Sequence, residues 1–277
     1  MLSVFVENKL AVVAVVFLLF MVGFCWIGPL LYHTNQTDAA LAGQYVNLPP
    51  QKGFPLGTDS AGFDILGRLM FGGQVSLEVG FAAALLASFV GTTWGVIAGF
   101  FAGATDSVMM RIVDILLSIP ALYLLITIST FVPRTSTTYI LILGFLSWLV
   151  ASRLMRGETL TLKTRDYVQA VRSMGGTKKR MMFRHIVPNS VGTIAVYTTF
   201  AVSDNIIALA SLSFIGQGVQ IPQTDWGGML NQGAQYIVDG YWWQVFPVCI
   251  VLTLVVMSVN FIGDAMRDAF EVRLQRR

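Results

Sequence analysis

Six separate stretches of this chain run for about 20 residues with almost no charge, and that feature limits what the chain can fold into. A bilayer's hydrocarbon core is about 30 Å thick and a helix rises about 1.5 Å per residue, so about 20 apolar residues cross it. The stretches are 10–31, 75–102, 108–132, 138–154, 190–214 and 244–263. Of 277 residues, 55% come from the set AVILMFWYC and only 12% are charged, against roughly 25% charged in a water-soluble domain. Too few charges remain to cover a water-facing surface, which excludes a soluble enzyme or a free nucleic-acid binder. The expectation is an all-α integral membrane protein with six transmembrane helices.

The first stretch exceeds the about 7 to 15 apolar residues of a signal peptide and no A-x-A site follows it, so it reads as a retained anchor. The chain then divides into an anchor helix with an extracytoplasmic segment over 1–74 and a five-helix core over 75–277, with a long loop at 156–188. The basic residues orient it: 15 of the 18 Lys and Arg lie in the two tails, at Arg111 and between 152 and 188. The alternate segments hold only Lys52, Arg68 and Arg134. Excess Lys and Arg marks the cytoplasmic side, which places both termini and the loop there. The basic excess is topological and calls for no nucleic acid. Trp26, Tyr32, Tyr139, Tyr241, Trp242 and Trp243 fall at outer ends of spans, where rings favour the headgroup layer. Cys25 and Cys249 sit inside apolar runs, with no metal or redox spacing.

Within the spans, Gly91, Gly95, Gly99 and Gly103 recur every fourth residue and predict a seam where a second helix backbone approaches closely. Arg111 and Asp114 stand three apart and predict a local ion pair, followed by a kink at Pro120. Asp204 and Asn205 fall mid-span, where an acidic side chain costs roughly 2.5 to 3.5 kcal/mol. Two readings stay open for them: a translocation path for a cationic or zwitterionic substrate, or hydrogen bonds to a neighbouring helix. Glu78 lies near a span end and reaches the interface.

The stretch from Thr164 to Pro188 reads as two short amphipathic helices broken at Gly175 and Gly176. Tyr167, Val171 and Met174 share one predicted face. A second helix starts with Thr177 as its cap and stops before Pro188. Two readings stay open for such a basic amphipathic hairpin: it lies on anionic headgroups, or, with its glycine break between two spans, it serves as a docking element for a soluble subunit.

This stretch resembles the EAA loop of bacterial ABC-importer permeases. Gln169, Ala170 and Val171 stand at its first three positions, Gly175 follows at the family spacing, and His185, Val187 and Pro188 close it. His185 itself reads as a packed or solvated loop residue. Segments 54–80, 184–189, 212–230 and 260–274 are similar to the C-type subunit of the peptide/nickel branch, with Phe63 where Arg is common and Glu271-Val272 in place of Asp-Pro. The resemblance implies a type I ABC importer permease whose EAA loop, here Tyr167, Gln169, Ala170, Val171, Gly175, Gly176, His185 and Pro188, sits on an ATPase. It also implies a second permease in a heterodimer, two ATP-binding subunits that carry ATP and Mg, and an extracytoplasmic binding protein delivering dipeptides, oligopeptides or a nickel chelate.

No GxxxxGK[ST] phosphate loop occurs, so ATP hydrolysis is expected on a separate chain. No HExxH, paired-Asp site or GxSxG elbow occurs either, and no catalytic, metal or cofactor-holding residue is expected here. The alternative is an autonomous secondary carrier using Asp204, which leaves the hairpin unexplained.

Overall fold

The computed structural model describes residues 2–37, 43–220 and 223–275; among these it holds helices, turns and two isolated β-bridges, Gln51–Phe54 and Thr58–Asp64. Ile221 and Pro222 of the outer loop and the side chains of Glu271 and Val272 lie outside what it describes. Five helices are long and apolar enough to cross a membrane, and six spans result if one sharply bent pair counts as a single crossing.

Helix α1 (Lys9–Trp26) opens at Asn8, whose side-chain oxygen accepts from the Ala11 amide. It buries a stripe of Ala11, Ala14, Met21 and Cys25 while Val13, Val16 and Phe20 face outward, as a helix in lipid can. Helix α2 (Ile65–Phe101) has 37 residues, roughly 55 Å at 1.5 Å each, and so overruns the bilayer. It begins ten residues before the expected 75, because Asp64 caps it by accepting from Leu66 and Gly67 amides; the 74/75 division falls inside it. Burial raises the Asp64 pKa above the usual carboxylate value, and these capping bonds oppose the rise.

The third stretch breaks at Pro120, where the kink is expected. It forms α3 (Gly103–Leu117) and α4 (Ala121–Phe131), bent by 80°. At 15 and 11 residues, roughly 22 and 16 Å, neither half spans 30 Å alone. Pro120, lacking an N–H, stands at the break. Helix α5 (Ser136–Lys163) starts near the expected position but runs nine residues past 154. Arg153, at the end of the expected stretch, and Arg156, in the added turns, reach acids on α3: Arg153 bonds Asp114 at 2.5 Å, and Arg156 bonds Asp106. Asp114 therefore pairs across helices, in place of the predicted local pair with Arg111.

The glycine seam is α2 against α5. A methyl on Gly91 would lie 2.8 Å from the Trp148 carbonyl oxygen, one on Gly95 2.7 Å from the Met155 Cβ, and one on Gly99 2.8 Å from the Arg156 carbonyl oxygen. Gly103 departs from the seam. Ala102 and Gly103 both have positive φ, ending α2 and turning the chain into α3, and a methyl there would meet nothing within 4 Å.

Further helices are α6 (Asp166–Ser173), α7 (Lys178–Met181), α8 (Val191–Leu212), α9 (Trp226–Ala234) and α10 (Phe246–Gln275), with shorter helical turns such as Leu2–Glu7 and Gly28–Leu31 between the main elements. Helix α8 packs between α2 and α10, and α10 also covers α1. The outer segments are knotted together by buried polar bonds. Arg68 pairs with Asp59 and donates to Gln232 (2.7 Å) and Thr224 (3.0 Å), with its guanidinium 5.6 Å from the Phe63 ring. Trp226, fully buried, donates to the Leu69 carbonyl. The aromatic belt is corrected in two places: Tyr139 is buried and donates to the Gln217 carbonyl, and Trp243 is buried and donates to the Thr58 carbonyl. Each polar tip found a protein acceptor.

Candidate functional site

The 156–188 loop leaves α5 at Lys163 and is rooted from its start. The Gln169 side-chain Nε2 donates to the Lys163 carbonyl at 2.9 Å, satisfying an orphan acceptor at the end of α5. Val168 is 2% exposed and enters a cluster with Val96 and Phe100 of α2 and Met155 of α5; Met181, Met182 and Ile186 join it from the returning strand of the hairpin. Burying such side chains is worth about 1.5 to 3 kcal/mol each, so the hairpin is fastened to the spans and not merely tethered.

The turn between the arms is a helix C-terminus of defined geometry. Gly175 has φ +76°, its amide donates to the Arg172 carbonyl (3.1 Å), and the Gly176 amide donates to the Val171 carbonyl (2.9 Å). This double reverse bond closes α6 only with a left-handed residue at Gly175. A methyl on Gly176 would meet Val171 Oat 2.7 Å, so the second glycine is required by space.

The returning arm differs from its expectation. Thr177 caps α7, its hydroxyl oxygen accepting from the Arg180 amide, but the helix does not stop before Pro188. Residues Met182–Ile186 widen into a π-turn in which the Val187 amide reaches the Met182 carbonyl, and the chain continues helically through Val187–Asn189 into α8. The wider turn absorbs the amide that Pro188 lacks.

The predicted face also changes. Val171 turns toward the interior cluster, whereas Tyr167, Ala170 and Met174 face outward. Met174 is 78% exposed and Phe183 on the other arm 66%. A pair of flexible apolar side chains thus stands open at the end of the bundle. Sequence periodicity missed Val168 as the anchor because Tyr167 and Val168 are both apolar and adjacent; only the position of Phe100 and Met155 chooses between them. His185 is half-buried, its backbone carbonyl accepting from the Asn189 side-chain Nδ2.

Asp204 and Asn205 point different ways, as adjacent helical residues do. Asn205 is buried and accepts from the Ser147 hydroxyl of α5 at 2.8 Å. Asp204 is exposed on α8. The structure therefore does not bring the two together. Among the described residues no three His, Cys, Asp or Glu side chains gather to hold a metal.

The described residues thus form a helical membrane bundle with a rooted hairpin between two long helices, and the chain's relatives say what class of protein has this arrangement. Residues 91–276 match the family model described as the inner membrane component of binding-protein-dependent transport systems, and residues 1–50 match the N-terminal TM domain of oligopeptide transport permease C. The chain is 35% identical over 270 residues to the dipeptide transport system permease protein DppC of Bacillus subtilis, covering 98% of this chain and 84% of that one. It is 35% identical over 272 residues to the oligopeptide transport system permease protein OppC of Haemophilus influenzae, covering 96% and 86%. It is 36% identical over 270 residues to the OppC protein of Escherichia coli K12, covering 96% and 88%. The chain belongs to the binding-protein-dependent transport inner-membrane component family and is a multi-pass membrane permease of that kind.

Proposed function

We propose that this chain is one of two permease subunits of an ATP-driven importer for peptides, and that its hairpin is the part an ATPase subunit grips. The observation that carries the reading is the two-sided hairpin: Val168, Met181 and Ile186 fasten it to α2 and α5, while Tyr167, Met174 and Phe183 remain uncovered. A soluble partner pressing on the uncovered side moves the fastened side with it, and through it helices α2 and α5.

In this reading the hairpin and both termini are cytoplasmic, ATP and Mg are bound by the partner subunits, and a binding protein delivers substrate to the outer face. ATP-driven closure of the partners moves the hairpin and rocks the spans between inward-open and outward-open. Asp204, exposed on α8, lines the path between this permease and the second one. Peptide as substrate rests on relatives named for dipeptides and oligopeptides at nearly equal identity.

The test is affinity purification of the tagged chain from native membranes in mild detergent, comparing wild type with M174D. Wild type is expected to bring down a second permease and an ATPase, and M174D to lose the ATPase while keeping the permease. Recovery of the chain alone, under conditions in which a known transporter complex survives, would overturn the reading.

A further inference from the structure

The end of the bundle that carries α6 also holds a cleft of about 210 Å³, between that helix, the C-terminal turn of α2 and the last turn of α5. This is several times the roughly 30 Å³ of one water. Lys163, Arg172 and Lys178 line it, and no carboxylate does. With no acid to meet, both lysines rest on rings: Lys163 Nζ is 5.5 Å from the Phe100 centroid and Lys178 Nζ is 5.3 Å from that of Phe101. Lys163 also donates to the Phe100 carbonyl at 2.5 Å. Ring faces and one carbonyl offset three positive charges only in part, so the cleft favours an anion.

The cleft's walls say what kind. Phe101 is 46% exposed where α2 ends, so an apolar surface leads out of the cationic pocket beside the membrane-crossing helices. Arg172 and Lys178 stand on opposite sides of the Gly175–Gly176 turn. We infer that this cleft binds the headgroup phosphate of an anionic phospholipid, Arg172 and Lys178 holding the phosphate and Phe101 packing against the glycerol and first acyl carbons. Arginine's planar fork suits phosphate oxygens, and one phosphate held from both sides ties α6 to α7. The site stands independently of what docks on the outer side of the hairpin.

The test titrates the purified full chain in neutral detergent with phosphatidylglycerol or phosphatidylcholine and counts retained lipids by native mass spectrometry. One tightly held phosphatidylglycerol is expected. Its affinity should fall about thirtyfold in the R172Q/K178Q variant, the loss of two cation contacts, and stay unchanged in K179Q/R180Q, which removes two exposed charges outside the cleft. Equal loss in both pairs, or equal retention of phosphatidylcholine, would overturn the site in favour of diffuse surface charge. Displacement of the lipid by excess inorganic phosphate would overturn the lipid assignment in favour of a free anion. If the double variant fails to fold, R172Q alone reads the same question, with an expected loss of about fivefold. Lipid retention needs no transport, so it stands or falls separately from the importer reading.

Discussion

Arg156 of α5 grips Asp106 of α3 with two parallel hydrogen bonds, Nε to Oδ1 at 2.5 Å and Nη2 to Oδ2 at 2.6 Å. Asp106 is nearly buried while Arg156 is partly open, so the pair sits at the edge of the packed interior. It clamps the half-span after the Ala102 break onto the longest helix contact in the protein.

Arg156→Lys should lose the fork and leave one contact, lowering stability by about 1 kcal/mol, whereas Asp106→Ala should lower it by about 2 kcal/mol because a charge-assisted bond goes and its partner is left unmatched. Thermal midpoints in mild detergent check this. Equal midpoints for wild type and both variants would remove the clamp.

The seam predicts a contrast between two glycines of one sequence pattern. Gly95→Val should separate α2 from α5 and cost about 3 kcal/mol or more, because the added atoms meet the Met155 Cβ and the Arg156 backbone. Gly103→Ala meets nothing within 4 Å and should cost only about 1 to 2 kcal/mol, from its positive φ. A thermal-shift series in detergent separates them, and a larger effect at Gly103 would contradict the packing.

At Gly175, replacement by Val should strain the left-handed turn by about 1 to 2 kcal/mol without touching a neighbour. Membrane insertion and midpoint should change little, while partner-stimulated ATPase activity and peptide uptake in the assembled transporter should fall together. Normal stimulation and uptake would show that the turn does not transmit the motion.

Asp225 caps α9 by accepting from the Gly228 amide at 3.0 Å while almost wholly buried, and burial raises its pKa above the usual carboxylate value. A carboxyl whose folded pKa is raised binds its proton more readily folded than unfolded, so its contribution to stability falls as pH rises from the unfolded pKa through the folded one. Asp225→Asn keeps an acceptor for the cap and should flatten that fall, raising the midpoint at neutral pH relative to wild type. Asp225→Ala loses the cap and should cost about 1 kcal/mol. Midpoints measured across the acid range check both; an unchanged pH slope in the Asn variant would remove Asp225 as its source.

Much of the bundle was legible because lipid imposes a simple rule. Runs near 20 residues without charge become helices, and all of the expected stretches except 108–132 carry a spanning helix. That exception has a local cause: Ser118–Pro120 breaks the helix, and how far the halves swing depends on what they pack against. Legibility failed in the same way at the aromatic rings. Tyr139 and Trp243 have the composition of interface residues, yet Gln217 and Thr58 carbonyls lie close enough to accept from them, and the rings go inside. In the hairpin, Thr177 and Gly175 could be assigned from chemistry alone, since caps and left-handed turns need particular residues. Tyr167 against Val168 could not.

From its residue order alone the chain is a polytopic helical membrane protein with a glycine-broken amphipathic hairpin and a glycine seam, since apolar length, proline, glycine and cap chemistry act within a few residues of themselves. Tertiary structure decided which partner each polar group takes, that Asp114 meets Arg153 and Asn205 meets Ser147, and which of two adjacent apolar residues is buried. Those outcomes join residues far apart in the chain, 58 for the pair Ser147–Asn205 and 185 for Thr58–Trp243, and burial there follows from where two distant segments happen to meet.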